Sequence, residues 1–323
     1  MRFAFRPLSS IPAADHARLA DGSCFASPGF LSLWRAKGGR PGAWAAEDAG
    51  RMVAMLAGVE YGAGPFARFA SMPDGCYGGL CLDPVAEPER EAISRALFEA
   101  LERRRYAKAW VFDRQGTSAC PPGFATCRCE TRIVDISARD WAPPDRKLQS
   151  QIRKARREGI QVERFEWDRH HARFLALAAL TARRQGRRPR YTTAFYRALA
   201  ALAARDERVV WRWCEREGRP VAAQIYFVER GTLQAWQSYY DKTFSFLKPN
   251  QYMRYTLCQE MARRGIGRLN LGATPEGAAG LAYYNARWGG RCVTYASYVR
   301  REPLGRLAEP LARARPHSHR LVP

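Results

Sequence analysis

The stretch Thr232–Gly290 constrains the fold of this chain more than any other part of its sequence. It opens with a strand-like run that leads into a loop, and Pro249-Asn250 then supply a helix start. After that helix come a short strand-like segment at Arg268–Leu271, a glycine-rich turn and a second helix, which closes on Trp288-Gly289-Gly290. This order of elements predicts helices packed on a sheet.

A three-stranded meander leads into this stretch. Its strands are predicted at Val209–Glu215, Val221–Glu229 and Thr232–Tyr240, and the connections between them are short and contain glycine. Connections of this length join antiparallel neighbours. The second half of the chain therefore contains an antiparallel sheet.

Trp141-Ala142-Pro143-Pro144 is the clearest boundary in the sequence. The two prolines stop the preceding strand, and Asp145 is placed to cap a helix over Arg146–Glu158. A chain of 323 residues accommodates two cores of roughly 150 residues each. We predict one unit over residues 1–142, a second over 143–300, and a tail over 301–323 that could pack on the first unit.

Both predicted units mix strands with helices. The first has a hairpin signal at Ala43–Glu47 and Arg51–Tyr61 and an amphipathic helix over Glu87–Arg105. The second has further helices over Asp168–Arg184 and Thr193–Arg205. This pattern is typical of an α+β fold.

Composition excludes several classes of protein. Apolar residues make up 46% of the chain, which is too much for a disordered protein, and no apolar run approaches the roughly 18 residues of a membrane span. No signal peptide is evident, so we expect a cytoplasmic protein. The nine cysteines and five histidines show no metal-ligand spacing, and no metal site is predicted.

Positive charge is the second strong signal. The 53 Lys and Arg exceed the 31 Asp and Glu by 22. Arg146–Arg157 contains six basic residues and no acidic one, and Arg183–Arg190 contains five arginines and no acidic residue. Such clusters attract phosphate, as in tRNA, coenzyme A or a nucleotide-linked substrate. The alternative is that both are merely solvated surfaces.

Three local patterns carry a family resemblance. They are Arg153–Ile160 (RKARREGI), Gly218–Ala223 (GRPVAA) and Gly280–Gly290 (GLAYYNARWGG). In this order and spacing the chain resembles the FemAB-like acyltransferases, and the resemblance is strongest over residues 146–299. It implies two tandem GNAT-like units of α+β fold, with mixed, mostly antiparallel sheets flanked by helices.

The resemblance implies an enzyme that transfers an acyl group to an amine and forms an amide. The donor would be an aminoacyl-tRNA or an acyl-CoA, and no tightly bound cofactor is expected. The acceptor would be an amine on a small molecule, a peptide or a cell-wall precursor. Acetyl-CoA-dependent relatives usually have a glycine-rich turn where this chain has Ser245–Gln251, which contains no glycine. We therefore favour aminoacyl-tRNA.

The resemblance also places the candidate site residues in the second half of the chain. Backbone N–H groups of Thr232–Tyr240 would face the acyl carbonyl. The candidate catalytic residues are Asp241, Tyr240 and Asn285. The candidate donor-binding residues are Arg153, Lys154, Asn250, Gln251 and Arg287. The candidate acceptor-binding residues are Gln224 and Tyr284.

Several of these residues also have a purely structural explanation. Asp241 also fits a turn residue, Tyr240 a packing residue, and Gln224 a core amide whose hydrogen bonds are satisfied. Relatives commonly have lysine where this chain has Asn285, so a scaffold without activity is one alternative for the whole protein. A non-catalytic RNA-binding protein, using the same basic surfaces, is the other.

Overall fold

The computed structural model describes residues 1–114, 116, 123–274 and 277–303. Its contacts divide the chain into two compact units. Unit 1 comprises Met1–Cys129 and the chain from Thr294 on, and unit 2 comprises Glu130–Val293. Most of the tail predicted over residues 301–323 lies outside the described residues.

Unit 1 is an α+β unit. Its strands follow the order β1-β2-β3-β4-β6-β13, with β5 beside β3, and only β4 and β6 run parallel. Its helices are α1 (Ala13–Leu19), α2 (Pro28–Ser32) and α3 (Arg90–Arg103). Its strands are β1 (Arg2–Pro7), β2 (Arg40–Asp48), β3 (Arg51–Tyr61), β4 (Arg68–Ser71), β5 (Leu80–Leu82), β6 (Lys108–Asp113) and β13 (Arg291–Arg301).

The core of unit 1 lies between α3 and the sheet. The predicted apolar stripe of α3, Ile93, Leu97 and Leu101, is buried there. The helix starts at Arg90 instead of the predicted Glu87 because Pro88, which has no N–H to donate, lies in a 3₁₀ turn over Pro84–Glu89.

Unit 2 contains the remaining elements. Its strands follow the order β7-β12-β11-β10-β9-β8. The helices are α4 (Arg146–Arg157), α5 (Trp167–Arg184), α6 (Thr193–Arg205), α7 (Pro249–Arg263) and α8 (Ala279–Ala286). The strands are β7 (Ala125–Asp135), β8 (Gln161–Arg164), β9 (Val209–Arg216), β10 (Arg219–Glu229), β11 (Thr232–Tyr240) and β12 (Arg268–Ala273).

The sheet of unit 2 is covered on both faces. Leu148 and Ile152 of α4 pack with Leu257 of α7 against one face. On the other, Phe174 of α5 packs edge-on against Trp211 of β9, at a centroid distance of 4.8 Å. The α+β class predicted from the sequence is thus confirmed. No helix among the described residues is both long enough and apolar enough to cross a bilayer.

Helix starts in unit 2 follow local sequence signals. The Asp145 carboxylate accepts a hydrogen bond from the Leu148 N–H at 2.6 Å, which caps α4 as predicted. Thr192 caps α6 in the same way, through the Phe195 N–H at 3.2 Å.

Gly290 provides a test of this packing. Its φ is +77°, and a Cβ there would lie 2.2 Å from the main-chain oxygen of Ile133. Gly218, in the β9–β10 turn, has a similar φ of +71° but open space around it. We expect Gly218→Ala to lower the free energy of unfolding by about 1 kcal/mol. Gly290→Ala should cost about 3 kcal/mol or more, because strain and a backbone clash add.

Urea denaturation of both variants measures the difference. Equal losses would contradict the close approach of the two backbones at Gly290.

Candidate active site

The strands β11 and β12 pair for only three residues and then separate. Thr232–Gln234 lie parallel to Arg268–Asn270, and beyond Gln234 the described part of β11 pairs with β10 alone. Gly272, at φ +85°, stands where the strands part. Beyond Gln234 the edge of β11 away from β10, here called the free edge, has no described strand beside it. Some of its main-chain groups are bonded to side chains: the Tyr240 N–H donates to Thr181 Oγ1 at 3.2 Å, and the Ala235 oxygen accepts from Gln234 Nε2 at 2.9 Å.

A β-bulge decides which side chains of β11 face α7. The pairing register of β10 and β11 shifts between Ile225 and Tyr226, so Trp236 is an extra residue in β11. Because side chains alternate along a strand, one extra residue reverses the alternation. Ser238 therefore faces α7, and its hydroxyl donates to Asn250 Oδ1 at 3.2 Å.

Hydrogen bonds continue from Asn250 into the core. Gln224 Nε2 lies 3.2 Å from both the main-chain oxygen and Oδ1 of Asn250. Gln224 Oε1 accepts from the Tyr226 hydroxyl at 2.6 Å, and that hydroxyl accepts from Arg254 Nε at 3.2 Å. A continuous polar path thus runs from the exposed Ser238 to Arg254, which is only 8% exposed.

Arg254 is a buried cation. Its guanidinium lies 5.5 Å from the Tyr284 ring centroid and 5.2 Å from that of Trp288. It pairs with no carboxylate of the described residues, and Nη1 is buried without a hydrogen-bond partner among them. A desolvated cation–π contact contributes about 2 kcal/mol, whereas burying an ion costs several kcal/mol. The two rings therefore offset only part of the cost.

Arg254 stays charged in this environment. Burial lowers its pKa, but the nearby oxygens of Tyr284 and Tyr226 raise it by more, so the net shift is upward. Burial raises the pKa of Tyr226 to about 12, so its hydroxyl is a neutral donor at physiological pH.

The N-terminal turn of α7 has few N–H groups without a hydrogen-bond partner. Pro249 has no N–H, and those of Gln251 and Tyr252 both donate to the Lys248 oxygen, at 3.2 and 3.3 Å. Lys248 itself has φ +56°, a backbone conformation that non-glycine residues seldom adopt. This turn does not form the open cradle of N–H groups that a pyrophosphate needs.

The basic residues of α4 form an unpaired surface, here called the α4 basic face. Arg153 is exposed, and Lys154 Nζ lies 5.8 Å from the centroid of the Phe246 ring. No member has a carboxylate partner among the described residues. The members are Arg146, Lys147, Arg153, Lys154, Arg156 and Arg157.

Two predicted residues near the C-terminal end of α8 are held by neighbouring side chains. Arg287 Nη2 donates to Asp145 Oδ1 at 3.1 Å and to Gln151 Oε1 at 3.3 Å. The first of these bonds lowers the pKa of Asp145. Asn285 is 2% exposed and donates to Thr274 Oγ1 at 3.2 Å. Arg287 thereby joins α8 to the first turn of α4.

Of the two predicted residues at this point of the chain, Tyr240 ends β11 and Asp241 begins the turn that follows. The main-chain oxygen of Tyr240 accepts from Arg184 Nη1 at 3.1 Å, and that guanidinium stacks on the Tyr240 ring at 4.0 Å. Asp241 caps a 3₁₀ turn over Lys242–Leu247 by accepting from the Thr243 N–H at 2.9 Å.

The structure brings together two of the predicted residues, Gln224 and Asn250, by direct hydrogen bonds. It places a third, Tyr284, against Arg254. The roles assigned to all ten residues remain predictions. Arg254 was not among the predicted residues, although its position three residues before Leu257 puts this cation on the buried stripe of α7.

A second polar cluster joins β8, α5 and β9. Side-chain atoms of Glu163, His170 and Glu215 lie within 4.8 Å of one another. Arg169 binds Glu163 at 2.9 Å and Arg173 binds Glu215 at 2.7 Å, so guanidinium groups already balance both carboxylates. His170 Nε2 lies 3.2 Å from Glu163 Oε1. These contacts fit an ion-pair network.

His170 should make stability depend on pH. Burial lowers its pKa below the value of about 6.5 in an unfolded chain, so the unfolded state binds the proton more tightly. Unit 2 should therefore lose stability as the pH falls through about 6.5. The loss between pH 7.5 and 5.5, followed by urea denaturation, should be larger in the wild type than in His170→Gln. An equal or smaller loss contradicts the neutral, buried histidine.

The Tyr226 hydroxyl should contribute more to the free energy of unfolding than the Tyr240 hydroxyl. Tyr226→Phe leaves Arg254 Nε and Gln224 Oε1 without their shared partner in the core, which should cost about 2–4 kcal/mol. The Tyr240 hydroxyl bonds to no described residue, so Tyr240→Phe should change stability by less than about 0.5 kcal/mol. Urea unfolding of both variants measures the two free energies of unfolding. Similar decreases in both variants would contradict the hydrogen-bonded path through Tyr226.

Comparison with known proteins supports the architecture described above. Residues 146–285 match the acetyltransferase (GNAT) domain family. No match was found among curated proteins. Among solved structures, FemX superposes with a TM-score of 0.69 at 12% identity, over 96% of this chain and 100% of FemX.

Two further structures are similar over almost their whole length. L-PGS from Bacillus licheniformis has a TM-score of 0.57 at 13% identity, covering 94% of this chain and 98% of its own. A tandem GNAT protein from the clavulanic acid biosynthesis pathway has a TM-score of 0.55 at 12% identity, covering 92% and 98%. At these identities the structures show a shared fold. Residues 146–285 thus match a GNAT acetyltransferase domain, and the chain shares its fold with FemX and with a tandem GNAT protein.

Proposed function

We propose that this protein transfers an aminoacyl group from aminoacyl-tRNA to an amine acceptor and so forms an amide. The observation that carries the choice of donor is the α4 basic face, with its six cations and no carboxylate partner among the described residues. Unpaired, exposed cations on one helix attract a polyphosphate backbone through release of its counter-ions. A tRNA supplies such a backbone.

The first turn of α7 supports tRNA over coenzyme A. A pyrophosphate cradle needs several free main-chain N–H groups, but those of Gln251 and Tyr252 are bonded to the Lys248 oxygen and Pro249 has none, which leaves the Asn250 N–H alone in this turn. Ser245–Gln251 also lacks the glycines that would let a backbone approach a pyrophosphate closely.

The reaction needs orientation and charge stabilisation more than reactive side chains. The amine nitrogen attacks the ester carbonyl of the donor, the new C–N bond forms, and the ester C–O bond breaks. The free edge of β11 has no described strand beside it and is suited to stabilise the oxyanion with a main-chain N–H, apart from that of Tyr240, which Thr181 Oγ1 already accepts. The tRNA hydroxyl leaves with a proton, and the amine gives up a proton.

Two residues are candidates for those proton transfers. Asp241 uses Oδ1 to cap its turn, and Oδ2 bonds to no described residue, so Oδ2 can accept the proton of the amine. The Tyr240 hydroxyl is likewise unbonded within the described part of the chain and can donate to the leaving oxygen. The acceptor classes are those expected from the sequence: an amine on a small molecule, a peptide or a cell-wall precursor.

An acyl-CoA donor is the second candidate. It is favoured by the match of residues 146–285 to the acetyltransferase (GNAT) domain family. Incubation with radiolabelled aminoacyl-tRNA or acetyl-CoA, each with a panel of amines, distinguishes the two donors. Amide formation from acetyl-CoA alone would replace the first proposal by the second. Tight binding of tRNA with no transfer to any amine would support a non-catalytic RNA-binding role instead.

Arg153→Ala tests the contribution of the α4 basic face. We expect tRNA to bind about fivefold more weakly, and the slope of log Kd against log salt to become shallower by about 1, because one phosphate contact is lost. Arg264→Ala is the matched control: it removes an equal charge from unit 2, but Arg264 is paired with Glu207. Fluorescence anisotropy across a salt series measures both slopes. Equal effects of the two variants would show that binding there is non-specific.

A further inference from the structure

The guanidinium of Arg254 has no counter-ion among the described residues. It is 8% exposed, and its surroundings are the Tyr226 hydroxyl and the rings of Tyr284 and Trp288. A buried charge is normally paired, because desolvation is otherwise only partly offset. An unpaired cation in a packed core is a cost to folding that a bound anion would remove.

The geometry of the side chain shows which part of it is available. Nε is used by Tyr226, while neither Nη1 nor Nη2 bonds to a described residue, and Nη1 is wholly buried. The edge formed by Nη1 and Nη2 can bind two oxygens of one planar or tetrahedral anion in a bidentate manner. A lysine or a histidine would not offer such a pair of donors.

We propose that the Nη1–Nη2 edge of Arg254 binds an anionic group of a substrate, either a carboxylate or a phosphate. The polar path from Arg254 through Tyr226, Gln224 and Asn250 ends at Ser238 on the free edge of β11. An anion at Arg254 therefore lies in the same part of unit 2 as the proposed acyl-transfer edge. That the anion belongs to a substrate rests on the proposed function. That Arg254 binds an anion does not.

The proposal restricts the chemistry of that substrate. A molecule bound by Arg254 carries its negative group apart from the atoms that react at β11. A plain neutral amine lacks such a group, so the inference favours acceptors such as amino acids, peptides with a free carboxylate, or phosphate esters that bear an amine.

The alternative is a structural role, in which the aromatic contacts alone hold Arg254. The two roles give opposite results for the ligand-free protein. If the cation awaits an anion, Arg254→Met removes an unbalanced charge, and the melting temperature should stay equal or rise. If the cation is structural, the same variant should melt several degrees lower. Arg212→Met is the control, because Arg212 is paired with Glu260, and it should melt lower in either case.

Anion binding is measured directly on the full chain. Inorganic phosphate and acetate are titrated by calorimetry at constant ionic strength, with chloride as the balancing anion. We expect one of the two to bind the wild type, and Arg254→Met to weaken that binding at least tenfold. Arg212→Met should retain it. A response to phosphate identifies a phosphate-bearing substrate, and a response to acetate identifies a carboxylate-bearing one.

Arg254→Lys keeps the test decisive if Arg254→Met does not fold. It retains the positive charge but lacks the Nη1–Nη2 edge, so the same anion should bind at least threefold more weakly. The proposal is overturned if neither anion binds the wild type, or if the folded variants bind as tightly as the wild type. Because the titration contains no acyl donor, a failure of acyl transfer leaves this result unaffected.

Discussion

Separation of β11 from β12 after three paired residues is the constraint on which the site of unit 2 depends. Parallel strands in a sheet normally keep their hydrogen bonds, and here the bonds stop at Gln234 opposite Asn270. β11 nevertheless remains in the sheet, because its other edge still pairs with β10. The bulge at Trp236 then places Ser238 and Tyr240 on the side of α7. A single extra residue therefore determines which polar side chains of β11 lie on this side.

Arg254 illustrates how such a site is costly to the fold. The other polar side chains inside the path, the buried Gln224 and Tyr226 and the half-buried Asn250, each have a partner on the same path. The guanidinium is the exception, since its Nη atoms have none among the described residues. Local departures from good packing and pairing concentrate where proteins bind ligands. This imbalance is the reason for proposing a binding site here instead of an ordinary polar core.

The sequence predicted the elements of unit 2 better than the contacts of its side chains. The meander, the cap at Asp145 and the helix beginning at Pro249-Asn250 follow from short connections and local hydrogen bonding, which a sequence displays. The bulge at Trp236 does not, because it depends on register against β10. The bond between Gln224 and Asn250 joins residues 26 positions apart and needs the sheet to exist first. Arg254 could have been found as a lone cation on an apolar stripe.

The contact of Arg287 with Asp145 has a consequence for communication within unit 2. The same carboxylate oxygen holds the first turn of α4 and the guanidinium at the end of α8. If Arg287 moves away, that oxygen keeps its bond to the Leu148 N–H but loses the guanidinium. The cap of the helix that carries the α4 basic face then changes. By reciprocity, polynucleotide engaged on α4 would bias the position of α8. One shared oxygen atom would thereby couple binding of the proposed donor on α4 to the position of α8, and so to binding of the second reactant.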